Sequence, residues 1–384
     1  MEYPSTLHKQ HSDYPLAPEH IVVGNEMLSP YSQKLKNDLQ IKGRPVSKLI
    51  PNLNNKINYI VHYRNLKFYL SQGMILTKIH RILSFKQSCW LKKYIDFNTE
   101  KRSRASSEFD MDFFKLMNNS IFGKTCENIR SRVDVELVND PKKMKKKLAK
   151  PQFKSFLIIN ENLTAVHSLK TCLTLNRPIY VGFSILDISK ILMYDFHYNH
   201  IKKLYDDKAK LLFTDTDSLC YINETEDIYY DMNNYNHLFD TSNYRKDHFL
   251  YNLKNRKVLG KMKDECSGEI IEEFVGLRPK MYSFNVMGGK SKKTSKGVKR
   301  KVVAGIQHRS YKDCLMNRTI MYSRMNQIRS YNHDVYSIEM RKISLSPFDD
   351  KRYVLENGVD TIAHGHYEIQ EKNVNSTQYY DAGS

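Results

Sequence analysis

No two cysteines in this 384-residue chain stand at C-x-x-C spacing. The six that occur, Cys89, Cys126, Cys172, Cys220, Cys266 and Cys314, are spread along the chain, and no pair flanks a histidine at finger spacing, which argues against a structural zinc site. Each is expected to be a small, buried, reduced thiol. There is one tryptophan, and no stretch approaches the roughly 18 uninterrupted apolar residues that a membrane-spanning helix needs. The first residues, Met1-Glu-Tyr-Pro-Ser, lack the basic start and apolar run of a secretory leader, so an intracellular protein without a membrane partner is expected. Internal repeats and low-complexity blocks are missing too. Acid is the other scarcity: 42 Asp and Glu stand against 61 Lys and Arg, a formal charge of +19. That imbalance points to a polyanionic partner, because every phosphate that a Lys or Arg neutralises releases a condensed counterion. Hydrophobic residues make up 40% of the chain and aromatics 11%, enough for a core, which excludes wholesale disorder.

Alternating helical and strand-like stretches make this a mixed α/β chain of the α+β kind. Residues 1–58, polar and rich in Pro and Asn, read as loops with a strand or two near Ile21, Val22 and Val23. From 59 to 90 the pattern is helical: Val61, Leu66, Tyr69 and Leu70 precede Gly73, and Ile75, Ile79, Ile82 and Leu83 follow it. Gly73 between the two segments suggests a helix C-cap. A helix is expected over 110–128, and another over 179–205 carried by Ile185, Ile188, Leu192 and Phe196. Residues 311–384 read as a smaller α/β piece with a polar tail.

Residues 211–222 form two β-prone arms, Leu211-Leu212-Phe213 and Leu219-Cys220-Tyr221-Ile222, around an acidic centre, the pattern of a hairpin with carboxylates at its turn. Asp215 and Asp217 are two apart, so in extended backbone both leave the same face. Two adjacent carboxylates repel unless a cation sits between them, and hard oxygen ligands suit Mg²⁺ or Mn²⁺. The plainer alternative is an Asx-type turn in a solvated hairpin. An EF-hand loop is excluded, because Leu219 and Cys220 stand where an acidic or amide residue and a glycine belong.

On the helix around Lys115, a helical wheel puts Phe113, Met117 and Ile121 on one side, as core. Lys115, Asn119 and Phe122 then share the other. A cation, an amide and an aromatic ring together suit a nucleotide, and Gly123 allows a close approach. The alternative is an ordinary amphipathic helix with a mixed outer face.

These segments also occur in a known order. Lys-Leu-Met-Asn-Asn-Ser-Ile-Phe-Gly at 115–123 resembles the K-x-x-x-N-S-x-Y-G motif of family B DNA polymerases. Phe-Thr-Asp-Thr-Asp-Ser at 213–218 is similar to their Y-x-D-T-D-S motif, and Lys280-Met281-Tyr282 to their K-x-Y motif. Segments starting at Tyr63, Asp187 and Leu345 resemble the protein-primed branch found in mobile elements, linear plasmids and viruses. The resemblance implies a partial right hand: a palm-associated segment over 1–58, helical fingers over 59–130, an antiparallel-sheet palm over 131–290 and a thumb-like part over 291–384. It further implies that Asp215 and Asp217 are catalytic and hold Mg²⁺ or Mn²⁺. Lys115, Asn119, Phe122 and Gly123 would bind the deoxynucleoside triphosphate, while Ser218, Lys280 and Tyr282 would grip the DNA primer–template. A terminal protein primer is a further implied partner. Phe replaces Tyr at 122 and 213, keeping the ring and losing the hydroxyl.

The family's upstream D-x-x-S-L-Y-P motif and exonuclease domain are not matched; Tyr3-Pro4-Ser5 echoes the motif's end with no Asp before it. A C-terminal portion of such a polymerase is therefore expected, short of one metal-bridging carboxylate and impaired on its own. The rival reading is a catalytically inactive DNA-binding remnant. A reverse transcriptase is disfavoured, since those enzymes pair adjacent aspartates and here Thr216 intervenes. Of two basic runs, the one at 290–301, with Lys292, Lys293, Lys299 and Arg300, reads as a phosphate-tracking surface, with a solvated loop or an import signal as alternatives. The run at 142–150 reads as a solvated helix face.

Overall fold

Residues 1–331 and 334–369 are described in the computed structural model of the chain. A single turn of helix, α1 (His8–His11), precedes strand β1 (Glu19–Val22). Helix α2 (Pro30–Asp38) opens on Ser29, whose hydroxyl accepts the Ser32 amide, with Pro30 at the first helical position. Strand β2 (Ser47–Ile50) returns antiparallel to β1, and α3 (Tyr63–Ser71) ends just before Gly73, held at φ +95°. Next come α4 (Lys92–Arg104) and α5 (Glu108–Thr125), the latter capped by Ser107 on the Asp110 amide. Strand β3 (Val133–Val138), helix α6 (Pro141–Leu148) and strands β4 (Phe153–Asn160) and β5 (Leu163–Leu169) follow, the strands pairing in the order β3-β5-β4.

Helix α7 (Ile179–Asp195) runs through a π-helical turn at Phe196–Ile201 into α8 (Lys202–Tyr205). Strands β6 (Ala209–Thr214) and β7 (Leu219–Asn223) make the expected hairpin, followed by α9 (Ile228–Asn234). A meander of β8 (Ile271–Arg278), β9 (Met281–Val286) and β10 (Ser291–Ser295) precedes α10 (Arg300–Gly305) and α11 (His308–Met316). The described chain closes with two strand pairs: β11 (Met321–Tyr331) with β12 (Asp334–Leu345), and β13 (Tyr353–Val354) with β14 (Thr361–Ile362). Strands whose register is described pair antiparallel and are interspersed with helices, so the fold is α+β.

The chain divides into two units. The first comprises residues 1–80, 189–325 and 339 onward, and the second residues 81–188 and 326–338. Buried hydrophobics concentrate in the first. One cluster gathers Tyr3, Leu16, Leu53, Tyr69, Tyr194 and Tyr198, and another packs Val275, Leu277 and Met281 of the meander against Tyr311 and Cys314 of α11 and Leu345. In the second unit the buried hydrophobics among the described residues are Ile129, Val138, Ala165 and Val166. No helix among the described residues is long and apolar enough to cross a membrane.

Four sequence expectations need correction. Helix α2 lies where loops were expected; it is too polar to show an apolar period, and its signal was the Ser29-Pro30 start. The helical reading of 59–90 holds for α3 and fails after Gly73. Ile75 bridges to Glu2, residues 76–89 have no regular structure, and Ile79, Ile82, Leu83 and Phe85 are 52–76% exposed. Apolar spacing yields a stable helix only where a surface covers the stripe. Phe113, expected in a core, is 43% exposed, and the half-buried line of α5 instead runs through Phe114, Met117, Asn118, Ile121 and Phe122 to the buried Thr125. Among the cysteines, Cys89, Cys126 and Cys172 are exposed; only Cys220 and Cys314 are buried, where desolvation lifts their thiols to about 11 and about 12.

Candidate functional site

The β6–β7 turn closes on itself. The Asp215 amide donates to the Ser218 carbonyl at 3.0 Å, and the Ser218 and Asp217 amides donate back to the Asp215 carbonyl at 3.2 and 2.6 Å. Ser218 Oγ reaches that same carbonyl at 3.4 Å. Thr216 at the tip is left-handed, φ +57°, a conformation that costs a β-branched residue about 1–3 kcal/mol. The backbone between the two aspartates is therefore not extended, and the expectation that they leave one face of a strand does not hold. Asp215 is half-buried and Asp217 exposed.

A second strained turn meets the first. Lys280, between β8 and β9, is also left-handed at φ +61°, and its Nζ lies 3.1 Å from Asp215 Oδ1. Strand alternation from that turn buries Met281 completely and turns Tyr282 outward, where its ring stacks on Phe213 with centroids 4.4 Å apart and planes at 19°. Phe274 of β8 stands 5.9 Å from both rings. Opposite Tyr282, a Cβ at Gly276 would come within 2.9 Å of the Phe274 ring, so only glycine lets this aromatic cluster close. Met281 anchors the arrangement from behind. Met281→Ala is expected to cost about 2–5 kcal/mol, read as a lower urea midpoint with an unchanged slope.

Two carboxylates and an ammonium make a thin metal site. No group of three or more His, Cys, Asp or Glu side chains that could hold a metal occurs among the described residues. Asp217 and Asp215 fit part of one cation's shell, the rest falling to water and phosphate oxygens. They do not fit a pair of ions, and Lys280 already occupies Asp215.

Part of the basic run is committed to the fold. Lys292 Nζ pairs with Glu265 at 2.6 Å and stands 5.8 Å from the Phe284 ring centroid, Lys290 pairs with Glu269 at 2.8 Å, and Lys293 donates to the Ala304 carbonyl at 2.9 Å. Lys299 and Arg300, at the start of α10, are exposed and make no ion pair among the described residues.

In the second unit, Lys115, Asn119 and Gly123 lie exposed along α5, and nothing stands within 4 Å of a Cβ built on Gly123. Phe122 is half-buried, its ring edge 3.7 Å from a Cβ built on Gly182 of α7. Just past α5, Glu127 accepts from Arg132 Nε and Nη2 at 2.7 and 2.8 Å and from Arg177 Nε at 2.9 Å, with Lys124 Nζ also at 2.9 Å. Bonding to Lys124, Arg132 and Arg177 pulls its carboxyl down to about 2. Sequence reading missed this clamp, and also Phe274 and the guanidinium of Arg341, which stacks 4.2 Å from the Tyr322 ring centroid. Arg177 joins Glu127 from 50 residues away and leaves no local signal, whereas Lys124 and Arg132 stand close by in sequence; for Phe274 the only hint was an aromatic in an alternating strand. No protein-family model, no curated protein and no solved structure matches the chain.

Proposed function

We propose that this chain supplies the hairpin and nucleotide-binding parts of a family B DNA polymerase of the protein-primed type, an enzyme that joins deoxynucleotides to a primer 3′ hydroxyl on a DNA template. The observation that carries the reading is the meeting of two motifs that are well separated in sequence: Lys280 lies 3.1 Å from Asp215, and Tyr282 stacks on Phe213. In this reading Lys280 and Tyr282 hold the primer end beside Asp215, Asp217 and Ser218. Lys115 and Asn119, exposed on α5, face the incoming triphosphate, Phe122 packs at the nascent pair and Gly123 leaves room for it. Mg²⁺ or Mn²⁺ would be the cation and a terminal protein the primer.

A second reading, an inactive DNA-binding protein, is favoured by one specific feature: Asp215 is neutralised by an ammonium, and among the described residues no third carboxylate joins it in a metal-holding group. Primer extension separates the two. These 384 residues should bind primer–template without sustained extension. A fusion that adds a segment bearing a D-x-x-S-L-Y-P motif ahead of Met1 should extend it, and failure of that fusion leaves the second reading.

Both readings require DNA binding with steep salt dependence. The exposed pair Lys299 and Arg300 should carry part of it. Replacing both with Ala is expected to flatten the slope of log K against log salt on duplex DNA by about 1.8. An unchanged slope would place the phosphate contacts elsewhere.

A further inference from the structure

Between Asp38 and Asp96 the sequence holds no acidic residue and eleven Lys or Arg. Two of these cations are answered from distant parts of the first unit, Lys48 by Asp350 and Lys56 by Glu19. Arg64 and Lys67 on α3 are not. They make no ion pair among the described residues and turn instead to one exposed ring. Arg64 Nε donates to Tyr63 Oη at 3.2 Å, Lys67 Nζ stands 5.8 Å from the Tyr63 ring centroid, and Tyr63 itself is 56% exposed. Asn65 and Tyr69 bury the opposite face of the helix, which fixes Tyr63, Arg64 and Lys67 outward. Two cations one turn apart with no intervening acid repel each other, which offsets what their contacts with the ring contribute to the fold. The two cations also draw the Tyr63 hydroxyl below its ordinary range, a sign of the local positive potential.

We propose that this face of α3 binds single-stranded DNA, one base stacking on Tyr63 while the flanking phosphates take Arg64 and Lys67. An aromatic ring offers stacking to any base whose own face is free, and the displaced Lys67 ammonium and the Arg64 fork are within reach of the backbone on either side. Duplex DNA keeps its base faces covered and meets only the two cations. The proposal deepens the polymerase reading by giving the unpaired template a contact, and rests on that reading only for which strand is bound.

The test is fluorescence anisotropy of the full chain with an oligothymidine of about 15 nucleotides and with a duplex of the same length. Tyr63→Ala should weaken single-strand binding about 5- to 100-fold with an unchanged salt slope and leave duplex binding as it was. Tyr63→Phe, which keeps the ring, should bind like the wild type and so controls for folding. Arg64→Gln with Lys67→Gln should flatten the single-strand salt slope by about 1.4. Wild-type affinity in Tyr63→Ala, or an equal loss on single strand and duplex, overturns the proposal. Extension by the fusion protein reports on the polymerase reading alone: its absence with the α3 effects intact removes that reading and leaves this site standing.

Discussion

Asp217→Ala in the extension-competent fusion will lower primer extension by at least about a hundredfold, the loss that even an outer-shell partner of a metal can cause. Asp217 is the exposed carboxylate at the hairpin tip and makes no ion pair among the described residues, so in the polymerase reading it is the oxygen ligand left free for the cation. Lys115→Ala will act differently. It sits on the exposed line of α5, and in the polymerase reading its loss should raise KM for the nucleotide far more than it lowers kcat, because the contacts that reading gives it are to the triphosphate. Lys280→Met discriminates further. The ammonium holds Asp215 at 3.1 Å, so its removal should strengthen Mn²⁺ binding by the DNA-free chain while weakening the grip on primer–template. Equal Mn²⁺ affinity in wild type, Lys280→Met and Asp217→Ala, measured by calorimetry, would sink the assignment of the hairpin as a metal site.

What could be read in advance was what short-range chemistry decides. The β6–β7 hairpin follows from two β-prone arms around a polar tetrad, and the helix expected over 110–128 forms as α5 over Glu108–Thr125, so their placement agrees with the sequence reading. The alternation rule then failed inside the turn, where Thr216 adopts a left-handed backbone that no spacing argument anticipates. The pairing of Lys280 with Asp215 was hidden for a different reason. The resemblance gives Lys280 to the primer–template, and no spacing argument pairs it with Asp215; only the tertiary fold does so. Residues 76–89 show the converse. Their apolar spacing was real, but spacing reports a stripe and not the surface that would cover it. For Lys292 and Lys293, the charge was visible in the sequence, while the partners Glu265 and the Ala304 carbonyl lie outside the run.

Acidification from pH 7 toward pH 4 will destabilise the first unit through two buried histidines. His11 and His197 are both 0% exposed, and burial chiefly holds their imidazoles down, to about 4 and about 3 respectively. At His11 the Leu16 amide donates to Tyr3 Oη at 3.2 Å, and that hydroxyl shares a hydrogen bond with His11 Nδ1 at 2.8 Å. In the imidazolium both ring nitrogens must donate, and His11 Nε2 has no partner among the described residues to receive a hydrogen. His197 faces Tyr221 Oη at 3.0 Å and feels Lys202 and His11, both of which disfavour a second charge. In the unfolded chain each imidazole titrates near 6.5, so below that pH the unfolded state binds more protons than the folded one. Stability contributed by the neutral histidines is therefore complete above about 6.5 and falls by roughly 1.4 kcal/mol per pH unit for each, until their folded values are reached. Asp349 opposes this between about 6 and 3.8, since desolvation raises its carboxyl to about 6 and it keeps its proton more readily when folded. Burial holds His8, His200 and His364 of the same unit down as well, so the one opposing carboxyl leaves a net loss on acidification. Urea midpoints at pH 7, 5.5 and 4.5 should fall steadily, and His197→Phe should flatten the trend. A midpoint constant over that range would mean that the two rings are hydrated and titrate normally.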